Sequence, residues 1–210
     1  MPSSDLGALL ARTPVVPVLV IEDVSTAVPL ARALVAGGLP LLEITLRTAA
    51  ALDVIRAIGG EVEDAIVGAG TVLTPRQLDE VAACGARFAV SPGATENLLQ
   101  AAREHAVPLL PGAATASEVM RLLELGYAHM KFFPAEPAGG IALLKALVSP
   151  LPDARFCPTG GIDAERAKAY LALPNVACVG GSWVAPSDAI RRGDWSRITD
   201  LAKAAAALRV

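Results

Sequence analysis

Eight short apolar runs recur along this chain at intervals of roughly twenty to twenty-six residues, and this recurrence limits its possible folds more than any other feature. They are VVPVLVI (15–21), LLEIT (41–45), AIVGAG (65–70), FAVSPG (88–93), PLLPG (108–112), HMKFFP (129–134), RFCPTG (155–160) and ACVGGS (177–182). Apolar residues fill consecutive positions instead of alternating with polar ones, which is the pattern of parallel strands buried on both faces. The stretches between them carry helical punctuation. Thr115 and Glu118 have the spacing of a capping box, with Val119, Leu122 and Leu123 as the apolar stripe and Gly126 at the left-handed closing position. Thr74-Pro75 opens a second helix that Gly85 ends, and Gly37-Gly38 and Gly59-Gly60 are expected to close two earlier ones. Pro29 requires its helix to begin close before it. Eight strands alternating with helices over about 200 residues predict an α/β fold, a single (β/α)8 TIM barrel spanning 1–210. A doubly wound open sheet would normally have fewer strands and a nucleotide fingerprint in its first turn, where this chain has EDVSTA. DLGALL is expected to form a short helix capping the barrel bottom, and Trp195 to Val210 a final outer helix.

Composition narrows the function classes. Hydrophobic residues make up 53% of the chain and aromatics 4%, so the core is aliphatic. The mean hydropathy is +0.50, yet no run of about 18 apolar residues suits a membrane span. A net charge of −3 with no basic run disfavours nucleic acid or an anionic membrane as a partner. The start, MPSSDLGALLARTP, lacks a basic segment followed by an apolar core, so no signal peptide is expected. The three cysteines, Cys84, Cys157 and Cys178, are widely separated and fit small buried hydrophobes in a reducing compartment. With only His105 and His129, and no CxxC pair, a zinc site is disfavoured.

In a (β/α)8 barrel, catalytic groups come from the C-terminal ends of the strands. Lys131 stands out there. It is one of four lysines, and the other three, Lys145, Lys168 and Lys203, lie in helical segments. Desolvation disfavours an ammonium, so a buried lysine offers a neutral amine that attacks carbonyls, which arginine cannot do. The idle alternative is a lysine paired with Glu43. Glu43 is the one carboxylate inside a predicted strand core, and suits either a counter-ion or a proton-transfer group. Arg47 suits bidentate grip on a carboxylate or a surface helix turn, and Thr71 a hydrogen bond or a turn cap. The glycine pairs in PTGGI and VGGSW end the seventh and eighth runs, where barrels commonly bind phosphate through backbone N–H groups. Ser182 adds a hydroxyl donor. The same residues also fit a non-catalytic barrel binding a phosphorylated metabolite, or another phosphate-binding barrel enzyme.

EITLRT, GAGTVL, SPG, KFFPAE, PTGGI and GGSW, in this order, resemble the 2-keto-3-deoxy-6-phosphogluconate (KDPG) aldolase family, from about Val15 to Trp183. The stretch PGAATASE departs from the family pattern, which has a proline shortly before Glu118. The resemblance implies a class I aldolase needing no metal or other cofactor, active in many members on 4-hydroxy-2-oxoglutarate as well. It further implies a cytoplasmic homotrimer of the Entner–Doudoroff route, releasing pyruvate and glyceraldehyde 3-phosphate from a phosphorylated keto acid. By the matching motifs, Lys131 is the Schiff-base lysine and Glu43 the general acid/base. Arg47 and Thr71 hold the pyruvate carboxylate, Thr159 faces the substrate hydroxyls and Phe133 walls the pocket. Gly160, Gly161, Gly181 and Ser182 bind the phosphate.

Overall fold

A computed structural model describes residues 3–208, so the outermost residues of the expected 1–210 domain, Val210 of the expected last helix among them, lie outside the described residues. Among the described residues nine strands form: β1 (Val15–Leu19), β2 (Leu41–Thr45), β3 (Ile66–Gly70), β4 (Ala89–Val90), β5 (Leu109–Leu110), β6 (Gly112–Ala113), β7 (His129–Phe132), β8 (Arg155–Pro158) and β9 (Val179–Gly181). Seven of the eight apolar runs supply one strand each, and the fifth supplies two. Pro111 divides it, because proline has no N–H to give the ladder, while its carbonyl still accepts from the Lys131 N–H at 2.9 Å. Several strands are shorter than their runs, since Pro92, Pro134 and Gly160 turn the chain out over the barrel mouth.

The ladders are parallel and run in the order β5-β4-β3-β2-β1-β9 in one sheet and β6-β7-β8 in the other. Two seams join them. The halves β5 and β6 are consecutive in the chain, and a parallel bridge from Thr159 to Gly180 ties β8 to β9. The first strand pairs with β9 as well as β2, so the sheet closes into the (β/α)8 barrel and the open doubly wound alternative is excluded.

The helices are α1 (Ser3–Leu10), α2 (Ala27–Ala36), α3 (Ala51–Glu61), α4 (Pro75–Ala83), α5 (Glu96–Glu104), α6 (Ala116–Glu124), α7 (Gly140–Val148), α8 (Ala164–Leu171), α9 (Ser187–Arg192) and α10 (Trp195–Ala206). The capping box at Thr115 and Glu118 is present, and the Thr74 hydroxyl accepts from the Gln77 N–H. Gly38, Gly85 and Gly126 take the left-handed conformation expected after their helices. Pro29 falls in the first turn of α2. The expectation for Gly59-Gly60 is wrong: α3 runs through both to Glu61. Each glycine costs a helix about 1 kcal/mol relative to alanine, and buried Val54, Ile55 and Ile58 outweigh that by anchoring the turns around them. The six-residue α9 has no counterpart in the sequence reading. Helix α10 packs on α2, where Gly37 leaves the space that the Ala202 methyl takes. No helix among the described residues is long and apolar enough to cross a membrane.

Two apolar layers result. Strand residues facing outward pack with the surrounding helices in a large cluster that includes Leu30, Leu34, Ile44, Val54, Leu78 and Leu122. Inside the barrel, Val16, Leu41, Phe88, Val90, Leu110, Cys157 and Cys178 pack together, with Leu6 and Leu10 of α1 closing the bottom. This apolar floor leaves the upper end of the barrel for polar groups.

Candidate active site

Because strand side chains alternate with period two, the interior face of each strand can be followed upward from this floor. Leu41 leads to Glu43, His129 to Lys131 and then Phe133, and Cys157 to Thr159. Glu43 lies beside Val18 and Gly68, and Lys131 beside Gly112 and Cys157. The two charged residues therefore rise from different arcs of the wall and meet across the interior. The Lys131 Nζ lies 3.0 Å from Glu43 Oε1, with the two side chains only 4% and 3% exposed. Removing one member of a buried pair typically costs about 3–5 kcal/mol, since the other charge is stranded.

Glycine makes room for this polar layer. A Cβ on Gly70 would lie 2.2 Å from Glu43 Oε1, and one on Gly180 would lie 2.2 Å from the Thr159 hydroxyl oxygen. One on Gly112 would meet the Pro92 carbonyl at 2.3 Å. The sequence reading gave Gly70 and Gly112 no role and took Gly180 only as part of a glycine pair at a strand end, because what makes all three necessary sits on a neighbouring strand or loop. Gly70→Ala should displace the Glu43 carboxylate while leaving the barrel intact. A misplacement of about 1 Å can cost on the order of 10²-fold in rate, so turnover should fall by that order with an unchanged circular-dichroism spectrum.

The rim holds the other expected residues. Arg47 is exposed in the loop after β2 and its Nε donates to the Thr71 hydroxyl at 3.3 Å, which joins the two residues expected to share one ligand group. Thr71 has φ 61°, in the left-handed region. For a β-branched residue that conformation costs about 1–3 kcal/mol, and such strain gathers at ligand sites. Phe133 is half-buried, with its ring centroid 5.3 Å from Lys131 Nζ. Gly160 also stands beside the ring, and its absent Cβ would be 3.5 Å from it. Phe133 thus spans from the amine to the loop after β8. Thr159 is buried at the top of β8.

Gly160 and Gly161 have φ of 105° and 78°, which side chains rarely tolerate. The Ala135 and Glu136 N–H groups donate to the carbonyls of Thr159 and Gly160, at 2.8 and 3.2 Å. The Gly161 N–H has no backbone acceptor among the described residues, while the Gly160 N–H faces the Gly180 carbonyl in the bridge between β8 and β9. Ser182 is exposed just past β9, and no partner for its hydroxyl is found among the described residues. Gly181 has a packing reason of its own: the Trp183 ring occupies the place of its side chain. A separate cavity of about 330 Å³ lies at the other end of the strands, near Leu6, Leu109, Tyr127 and His129, and contains neither Lys131 nor Glu43.

The constellation is a buried amine in contact with a buried carboxylate, a rim guanidinium, and a two-glycine loop after β8. The sequence profile of KDPG and KHG aldolase matches residues 6–201. The chain belongs to the KDPG and KHG aldolase family. It is 58% identical over 199 residues to the 2-dehydro-3-deoxy-phosphogluconate aldolase of Pseudoalteromonas atlantica, an alignment covering 95% of this chain and 93% of that protein. Among solved structures, it superposes with TM-score 0.93 on the KDPG aldolase of Legionella pneumophila, at 51% identity, covering 95% of this chain and 97% of that one. That protein was crystallised with pyruvate captured as a covalent carbinolamine. The KDPG aldolase of Zymomonas mobilis, crystallised with 3-phosphoglycerate, gives TM-score 0.93 at 48% identity, covering 99% of this chain and 97% of its own.

Proposed function

We propose that this chain is a class I aldolase that cleaves 2-keto-3-deoxy-6-phosphogluconate to pyruvate and glyceraldehyde 3-phosphate through a Schiff base on Lys131. The observation that carries the reading is the buried amine 3.0 Å from a buried carboxylate at the mouth of the barrel. Ammonium is not a nucleophile, and Glu43 is placed to take a proton from it. The neutral Nζ adds to the C2 ketone to give a carbinolamine. Glu43 then returns a proton to the departing hydroxyl, and loss of water leaves an iminium. That cation accepts the electron pair of the C3–C4 bond as it breaks, while the C4 hydroxyl gives up its proton and becomes the aldehyde of glyceraldehyde 3-phosphate. The remaining enamine is protonated at C3, and water releases pyruvate and restores Lys131. Glu43 is the proton-transfer group for these steps. Arg47 and Thr71 hold the keto-acid carboxylate, Phe133 walls the pocket and Thr159 meets the substrate hydroxyls. Gly160, Gly161, Gly181 and Ser182 receive the phosphate.

4-Hydroxy-2-oxoglutarate is a second substrate under this reading, supported by the family to which the chain belongs. It has the same keto-acid end and needs the same steps. The reading extends to a cytoplasmic homotrimer serving the Entner–Doudoroff route. Val20, Val24 and Leu73, exposed on the loops after β1 and β3, are apolar surface that contacts between subunits would cover. The purified protein given KDPG should release pyruvate, measured by coupling to lactate dehydrogenase. Since the iminium stabilises the developing negative charge, exhaustive chelation should leave the rate unchanged. Loss of activity on chelation, restored by zinc or magnesium, would place the chain in the other mechanistic class of aldolases.

A further inference from the structure

Glu136 ends the KFFPAE stretch, and the sequence reading gave it no role. The fold places it directly on the loop after β8. Its N–H donates to the Gly160 carbonyl at 3.2 Å. Its Cβ and Cγ lie against Gly161, where a glycine Cβ would come within 2.9 and 2.8 Å of them. One residue therefore touches both glycines of the loop, through its backbone and through its side chain.

The Glu136 side chain is itself held. Tyr170 of α8, fully buried, donates its hydroxyl to Glu136 Oε1. Burial, and after it the bond to Glu136 and that residue's charge, pushes the Tyr170 hydroxyl above its ordinary range, so it remains a protonated donor. Arg166 Nε lies 3.5 Å from Glu136 Oε2, and its Nη1 lies 2.8 Å from the Asp163 carboxylate. The same guanidinium reaches within 3.5 Å of the Gly161 carbonyl. Gly140, at φ 56°, leaves space for the meeting, since a Cβ there would stand 3.1 Å from the Tyr170 hydroxyl and 3.2 Å from Glu136 Oε1. A carboxylate beside an anion-binding loop would repel its ligand. Here a hydroxyl donor and a guanidinium compensate the charge and fix the side chain.

We propose that Glu136 is a positioning residue for anion recognition: clamped by Tyr170 and Arg166, it holds the Gly160-Gly161 loop in the shape that receives the substrate phosphate. The inference rests on the phosphate reading of that loop given above. Two adjacent glycines have the largest conformational freedom to lose on binding, so a clamp that orders them beforehand raises affinity. The effect belongs only to substrates that use the loop.

The test compares KDPG with 4-hydroxy-2-oxoglutarate, which lacks the phosphate, in Glu136→Ala and Tyr170→Phe. For both variants the KM for KDPG should rise about tenfold or more, the scale of a lost charge-assisted contact. The kcat on KDPG, the kinetics on 4-hydroxy-2-oxoglutarate and pyruvate trapping at Lys131 should stay within about twofold, well below that scale. Inhibition of KDPG cleavage by inorganic phosphate should weaken in parallel. Should Tyr170→Phe fail to fold, the exposed Glu136→Ala carries the test alone. An unchanged KM for KDPG, or an equal loss on both substrates, overturns the inference. Ser182→Asp, which sets a carboxylate against the phosphate directly, separates the two levels. If it discriminates between the substrates and the Glu136 variant does not, only the positioning role falls. If it impairs both equally, the phosphate reading fails and the inference with it.

Discussion

Incubation with pyruvate and borohydride should add one reduced pyruvyl group, at Lys131, and turnover on KDPG should then fall to background. Peptide mass spectrometry is the measurement. The expectation follows from burial: Nζ is held in the barrel interior against Glu43, whereas Lys145, Lys168 and Lys203 lie on helices outside it. Lys131→Met should be inactive and take no label. It should also be less stable, by up to about 3–5 kcal/mol, because the Glu43 carboxylate loses its buried partner. Lys131→Met combined with Glu43→Leu should recover much of that stability without recovering activity. This separates the chemical role of the amine from its part in the ion pair. Label on another lysine, or no label, would rule out the Schiff-base mechanism.

Glu43→Gln should lower kcat on KDPG by about 10²–10⁴, the usual contribution of a positioned acid or base. Glutamine keeps the shape and a hydrogen bond to Nζ but cannot carry a proton between substrate and solvent. Pyruvate should still form its borohydride-trapped adduct at Lys131, more slowly, which shows that the site is folded and the nucleophile present. A Glu43→Gln enzyme with near-normal turnover would reduce the carboxylate to a counter-ion. The Gly70→Ala experiment approaches the same group from the neighbouring strand, by moving the carboxylate without changing its chemistry.

Much of the architecture can be read from local order alone. Consecutive apolar residues in eight runs mean strands covered on both faces, and in an alternating β and α chain that condition is met by parallel strands wrapped in helices. Caps are equally local: the Thr115–Glu118 box involves residues three apart, and its geometry needs nothing from the rest of the chain. The Gly59-Gly60 pair shows where that locality ends. Its propensity to stop a helix was overcome by Val54, Ile55 and Ile58, whose burial depends on what α3 packs against. Lys131 and Glu43 were legible as odd residues for strands, since charge in an apolar run needs a reason. Their pairing could be raised only as one alternative, because they are 88 positions apart and meet only once the sheet has closed in register. The glycines at 70, 112 and 180 belong to the same class. In sequence each passes for a turn or a weak strand residue, while in the barrel each is required by an atom on an adjacent strand or loop. Glu136 and Tyr170 are 34 positions apart and carry no joint signature. Local periodicity, set by backbone geometry and burial, decided the barrel. Closure and register, which act between distant residues, decided which side chains share its mouth.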